Sequence, residues 1–300
     1  MKWRALGTAV VVVLLSALAL SQAADQYLDV YIAQVKPEKR ADFDAIGKKM
    51  VAANRQNHGD NWITMETAYG PGNRITFVST RNSYAETETG GDAFNAAVQK
   101  AFGKAGTDKL FQDYSQCIAS YRNELRRRRW DLSSNAPADA AAEAKMVGNT
   151  RWLRTTAVHV RAGRADEFEA LLKDVKAARE KASPSVATLV SQAVAGQEGT
   201  VYYITTLENS MAGFDSIPSL QKALGDEGYA KFLKTSADVV ERVETAINHF
   251  LPELSNPPEQ VMAAAPDYWN PKPMVAAKGK TKTGEMVNAS EKGKTEEKNK

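Results

Sequence analysis

Two stretches in this 300-residue chain gather side chains able to do chemistry. "RRRRW", Arg126 to Trp130, is the densest charge signal. As an extended strand it sets Arg126 and Arg128 on one face and Arg127 and Arg129 on the other. Two guanidiniums on one face would grip a carboxylate or phosphate through paired hydrogen bonds. The blander account is an edge strand protected by charge against aggregation. "NHGDNW", Asn57 to Trp62, brings His, Asp, Asn and Trp together, and reads first as turn chemistry with Trp62 as a packing anchor. The three histidines, His58, His159 and His249, lie at no metal-ligand spacing to one another, so no metal site built from neighbouring ligands is expected. Cys117 is the only cysteine, which excludes an intrachain disulfide; with Phe111, Tyr114 and Ile118 nearby it reads as a small buried hydrophobe rather than a nucleophile. There is no Gly-x-Ser-x-Gly, P-loop or dinucleotide fingerprint, and "GPG" at Gly70–Gly72 is a hairpin turn.

The elements that must position these residues occur twice. "VKPEKRADFDAIG" from Val35 and "VRAGRADEFEALL" from Val160 each close a strand, turn through charged residues and place a phenylalanine eight positions on, Phe43 and Phe168. Each half opens with a strand, Tyr27–Val35 or Trp152–Val160. A helix follows with one apolar face: Phe43, Ile46 and Met50 in one half, Phe168, Leu171, Leu172 and Val175 in the other. Two strands then flank a glycine turn, with Gly70 and Gly196 in the same place. A helical region and a last extended segment complete a β-α-β-β-α-β unit. "SSNAPADAAAEAKMVGN" between the halves reads as a linker.

A strand, then basic-x-Gly-basic, then Phe at the head of a helix resembles the dimeric α+β-barrel superfamily, which includes antibiotic-biosynthesis-monooxygenase-like and NIPSNAP-like domains. The second copy matches well; in the first, Pro37-Glu38 replaces the Ala-Gly pair. The resemblance implies an α+β fold of two tandem ferredoxin-like domains packed sheet to sheet as an intrachain barrel. In relatives that pairing joins two chains; here one chain supplies both sheets, an internal pseudo-dimer, with higher oligomers left open. It also implies two other possibilities. Small monooxygenases of this group hold an aromatic substrate without a metal, and some fused relatives, the chlorite-dismutase-like and dye-decolorising peroxidases, bind haem through a helical histidine. His249 is instead expected in the last strand, and neither a cofactor nor a metal is expected. If Val35 and Val160 face the helices, Gln34 and His159 face the barrel interior. The same phase turns Glu66, Thr76, Gln192 and Tyr202 inward, beside Arg126 or Arg128. Convergent polar groups in an apolar cavity would suit a small-molecule ligand with an anionic group.

The remaining segments bound the setting. Lys2 and Arg4 precede an uncharged apolar run ending at "SQA", Ser21–Ala23, the pattern of a cleaved export signal over residues 1–23. No stable membrane span is expected after its removal. The expected order is then a first repeat (25–133), a linker (134–149), a second repeat (150–256), an extended segment (257–271) and a disordered Lys/Glu-rich tail (272–300). Seven lysines against four acids from Lys278 onward account for the formal +3, so the folded body is not basic and a nucleic-acid partner is not expected. The expected function is an exported non-catalytic or small-ligand-binding protein. The alternative is a cofactor-independent monooxygenase-like enzyme acting on a small aromatic or carbonyl compound.

Overall fold

The computed structural model describes residues 26–182 and 185–271; the expected signal segment and Lys/Glu-rich tail lie outside them. The first repeat runs β1 (Tyr27–Val35), α1 (Arg40–Asn57), β2 (Ile63–Tyr69), β3 (Arg74–Arg81), α2 (Tyr84–Cys117) and β4 (Ile118–Arg128). Helix α3 (Ala140–Asn149) connects it to β5 (Trp152–Val160), α4 (Ala165–Ala182), β6 (Thr188–Ala195), β7 (Thr200–Glu208), α5 (Leu220–Val239) and β8 (Val240–Phe250). Two short helices, α6 (Glu259–Ala264) and α7 (Pro266–Trp269), follow. The two long helices break at the same point: Gly103 of α2 (φ 66°) and Gly225 of α5 (φ 73°) hold a left-handed turn that glycine tolerates.

All eight strands form one closed antiparallel barrel in the order β1-β3-β2-β8-β5-β7-β6-β4. Each repeat contributes a four-stranded arc, and two seams join the arcs. At one, Met65, Glu66 and Thr67 of β2 pair with Phe250, His249 and Asn248 of β8. At the other, Arg126, Arg127 and Arg128 of β4 pair with Ala193, Gln192 and Ser191 of β6. The arginine run therefore lies inside a continuous sheet, and the edge-strand account of it is corrected: β4 has neighbours on both sides, β1 and β6.

Alternation sorts the side chains. Ala33 and Val35 of β1 pack on Phe43, Ile46 and Met50 of α1, while Val158 and Val160 of β5 pack on Phe168, Leu171 and Leu172 of α4. On the other face Leu28, Val30 and Ile32 meet Val78 inside the barrel. One barrel end is plugged by Leu153, Phe250, Val261 and Trp269, drawing α3, α6 and α7 together. The indole of Trp269 is fully buried and donates to the Gly148 carbonyl at 2.9 Å. Two readings of the sequence are corrected here. The linker contains a helix, because Asp139 caps Ala142 N at 2.8 Å and an alanine-rich run follows. The segment read as extended carries α6 and α7, whose apolar residues find the barrel end to cover.

The hairpin tips make the seams close. Gly196 (φ 84°) lies so near the other repeat that an added Cβ would sit 2.1 Å from the Asn123 carbonyl oxygen. Gly72, in the other hairpin, has nothing within 4 Å of such a carbon. Gly196→Ala is expected to cost at least about 1 kcal/mol and to lower the melting temperature by roughly 2 °C or more, from both strain and collision. Gly72→Ala should stay within about 0.5 kcal/mol of the parent, as thermal denaturation of the two variants would test.

Candidate functional site

The barrel interior holds a buried carboxylate, Glu124, in a full set of donors. Arg122 Nε lies 2.6 Å from Oε1 and Arg126 Nη2 2.7 Å from Oε2. Gln197 Nε2 donates to Oε1 and the Tyr203 hydroxyl to Oε2, each at 2.7 Å. Arg126 also lies flat over the Tyr203 ring, 3.5 Å from its centroid. Burial alone would raise the Glu124 carboxyl, but Arg126, the Tyr203 hydroxyl and Arg122 outweigh it and hold it below its ordinary 4.5. Burial pushes the Tyr203 phenol up to about 12, so it stays a donor. Toward the unplugged end, Arg242 Nη2 meets His159 Nε2 at 3.0 Å and its Nε lies 3.2 Å from Glu244. A cavity of about 150 Å³ connects these groups.

Of the residues singled out in the sequence, Gln34, Thr76, Arg126, Arg128 and His159 lie on interior-facing register positions. They do not all meet. Gln34 turns to the Gly72 carbonyl at 2.6 Å, and Arg128 lies by the plug, 3.4 Å from Gln26 Oε1 and 4.0 Å from Glu143 of α3. Burial pushes the Arg128 guanidinium down to about 10, with Glu143 opposing and Arg126 adding to the fall. Glu66, Gln192 and Tyr202 face the helices, which corrects their assignment to the interior. Glu66 is gripped by Arg40 at the head of α1. Tyr202 is paired with Val158 and donates to Glu169 of α4 at 2.6 Å. Arg129 clasps that same Glu169 and also donates to Gln192 at 3.0 Å, so these three fasten α4 to the sheet. The phase was hidden because Val201, Tyr202 and Tyr203 are all buried, β7 being covered on both faces.

"NHGDNW" serves the fold. His58 ends α1 in the left-handed conformation, the Asp60 carboxylate takes Arg81 at 2.6 and 2.7 Å, and the Trp62 indole donates to Leu254 O at 2.8 Å. Cys117 is buried and its thiol is raised by burial. His249 packs edge-on to Trp152, 3.8 Å from Glu66; burial lowers its pKa against the pull of that carboxylate.

A second space was not anticipated from the sequence. In the second repeat a largely apolar pocket of about 530 Å³ opens between β5–β8 and the helices α4 and α5. The first repeat fills the same position with rings: Tyr31, Phe77 and Tyr114 pack around Phe43. The repeat register places Thr156 where Tyr31 stands and, through the strand pairs Tyr31–Phe77 and Thr156–Ile204, Ile204 where Phe77 stands. The matched kinks and helix ends place Ser236 where Tyr114 stands. All three smaller residues line the pocket. Arg154 and Arg179 also line it, and neither forms a salt bridge with a described carboxylate. Burial lowers the pKa of Arg179, and Arg154 lowers it further. The described lining contains no histidine, cysteine, methionine or tyrosine, the common axial ligands of haem iron, so it offers that group none of its usual ligands.

No protein-family model and no curated protein matches the chain. Solved structures with a similar fold include an anthrone oxidase-like protein: 12% identity over 77% of this chain and 92% of that one, TM-score 0.48. A haem-binding protein from Thermus thermophilus gives 12%, 77%, 92% and 0.42. Chlorite dismutase from Candidatus Nitrospira defluvii in complex with imidazole gives 10%, 80%, 94% and 0.41. At these identities and scores the likeness concerns the fold alone.

The barrel carboxylate makes a pH prediction. A folded value held below the unfolded one stabilises the protein fully above the unfolded pKa, and the contribution is lost as pH falls through the folded value. Glu124→Gln should cost about 3–5 kcal/mol at pH 7, because Arg126 loses its buried counter-charge, and should flatten the loss of stability below pH 4.5. Urea denaturation of both proteins from pH 7 to pH 3 checks it; parallel pH profiles would contradict it.

Proposed function

Taking the chain as a tandem α+β barrel, we propose that it is an exported small-molecule-binding protein whose ligand occupies the apolar pocket of the second repeat. The observation that carries this reading is the threefold exchange of rings for small side chains, Tyr31, Phe77 and Tyr114 against Thr156, Ile204 and Ser236. It leaves open in one copy what the other copy fills with its own side chains. A pocket of about 530 Å³ suits a drug-sized or smaller molecule. Its walls from Val158, Phe168, Leu172 and Phe232 call for an apolar body. Arg154 and Arg179, in no salt bridge with a described carboxylate, call for an anionic end. The ligand class is therefore an amphipathic acid with an aromatic or branched acyl body.

Binding is favoured over the monooxygenase-like alternative by the chemistry of the wall. Its described polar side chains are Arg154, Lys176, Arg179, serines and threonines, with no carboxylate or imidazole among them to take a proton from a substrate. Export rests on the basic, apolar and small-residue succession of residues 1–23. A mature chain recovered outside the cytoplasm and beginning after Ala23 would agree with it; a chain retaining Met1 in the cytoplasm would not.

Isothermal titration with a panel of aromatic and acyl carboxylates, each beside its neutral amide, tests the site. Carboxylates should bind at least about tenfold tighter than their amides, a difference that Arg179→Gln removes. Ser236→Tyr copies the first repeat's own filling, so it should fold normally and weaken binding by tenfold or more. Equal binding by parent and Ser236→Tyr, or no binding by any acid in the panel, would overturn the proposal.

A further inference from the structure

We infer that the unplugged mouth of the barrel is a second, separate site that takes a compact oxyanion, with orthophosphate or a phosphate monoester as the fitting chemistry. It lies on the interior face of the sheet, whereas the second-repeat pocket lies on the helix face, so the two can be tested apart. Four guanidiniums line this one cavity: Arg74, Arg122, Arg126 and Arg242. Among the described residues only two carboxylates answer them. Glu124 is fully engaged by Arg122, Arg126, Tyr203 and Gln197, and Glu244 lies against Arg242.

Arg74 is the residue left over. It stands at the first position of β3, opposite Gln34, whose amide turns away to Gly72 O. Arg74 is half-buried, and its guanidinium makes no hydrogen bond or salt bridge with the described residues. Burial lowers its pKa and Arg122 lowers it further, against the weaker pull of Glu244, Glu124 and Tyr203. A guanidinium held partly out of water beside a second one is unfavourable until an anion joins them. Its planar fork matches the oxygen spacing of a carboxylate or phosphate. The cavity, about 150 Å³, limits the occupant to a few heavy atoms, and an excess of two positive charges favours a multiply charged ion over a monocarboxylate. Thr76 and Thr155 also line the cavity, the hydroxyl of Thr155 being shared with Thr205 at 3.1 Å.

The test is titration of the full chain with sodium phosphate at constant ionic strength, read by calorimetry and by melting temperature, beside sodium chloride and sodium acetate. Phosphate should bind saturably and raise the melting temperature more than either control salt. Arg74→Gln should weaken phosphate binding by at least tenfold and yet melt no lower than the parent without phosphate, since the replacement relieves like-charge repulsion. A merely structural arginine would melt lower when replaced. Arg242→Gln, an exposed position, should also weaken phosphate, while Arg179→Gln in the other pocket should leave it unchanged. Methyl phosphate distinguishes the sources: tighter binding than orthophosphate points to an ester, and equal or weaker binding to the free ion. A phosphate effect no larger than that of chloride, or unchanged phosphate binding in Arg74→Gln, would overturn the inference.

Discussion

A four-stranded sheet with both helices on one face has a second face it must hide, and everything else in this protein follows from how that face is hidden. The chain does so by bending two such sheets into one barrel and joining them along β2–β8 and β4–β6. Closure removes sheet edges at the seams and encloses a core with Leu28, Val30 and Ile32 at its centre. It also demands that each hairpin tip approach the last strand of the other repeat. Gly196 lies on Asn123 and Glu124, and Gly70 lies on Ala246. A side chain at Gly196 would push its seam apart, and one at Gly70 would have to displace Ala246 and Thr67 slightly.

Because both copies obey that constraint, their differences stand out as choices about chemistry. The two seams are matched in backbone and unlike in charge. Glu124 and Arg126 occupy positions in β4 that correspond to Ala246 and Asn248 in β8. On the interior face one seam is thus an ion-paired network, and the other is closed by Ala246 and the Thr67–Asn248 contact at 2.8 Å. On the helix side the asymmetry runs the other way. The first repeat is packed with stacked and tilted rings, and the second keeps an open pocket with two arginines at its wall. The space between sheet and helices is thus filled with rings in one copy and open in the other.

Much of this frame was legible in the sequence. The recurrence of Val35-to-Phe43 as Val160-to-Phe168, with Gly70 and Gly196 in step, carried the repeat, the barrel and the inward positions of Gln34 and His159. What misled was alternation in doubly covered strands. Ser191 and Val190 are buried on opposite faces of β6, and Val201, Tyr202 and Tyr203 on both faces of β7, so neither strand shows a polar side from which to take its phase. The arginine run had the right alternation but the wrong setting, since only the seam to β6 reveals that β4 is no edge. The pocket was written in the sequence all the same, as the pairs Tyr31/Thr156, Phe77/Ile204 and Tyr114/Ser236. Reading it required the strand register and helix kinks that align the copies. The plug by α6 and α7 needs the barrel end to exist before its short apolar runs have anything to cover.

The two copies share a frame and differ in whether the space between sheet and helices is filled. Diffraction from crystals held under xenon pressure tests this most directly, because xenon enters apolar cavities without needing a specific ligand. Xenon is expected in the second repeat, between Thr156, Ile204 and Ser236, and none among Tyr31, Phe77 and Tyr114 of the first. Xenon in both repeats, or in neither, would contradict it.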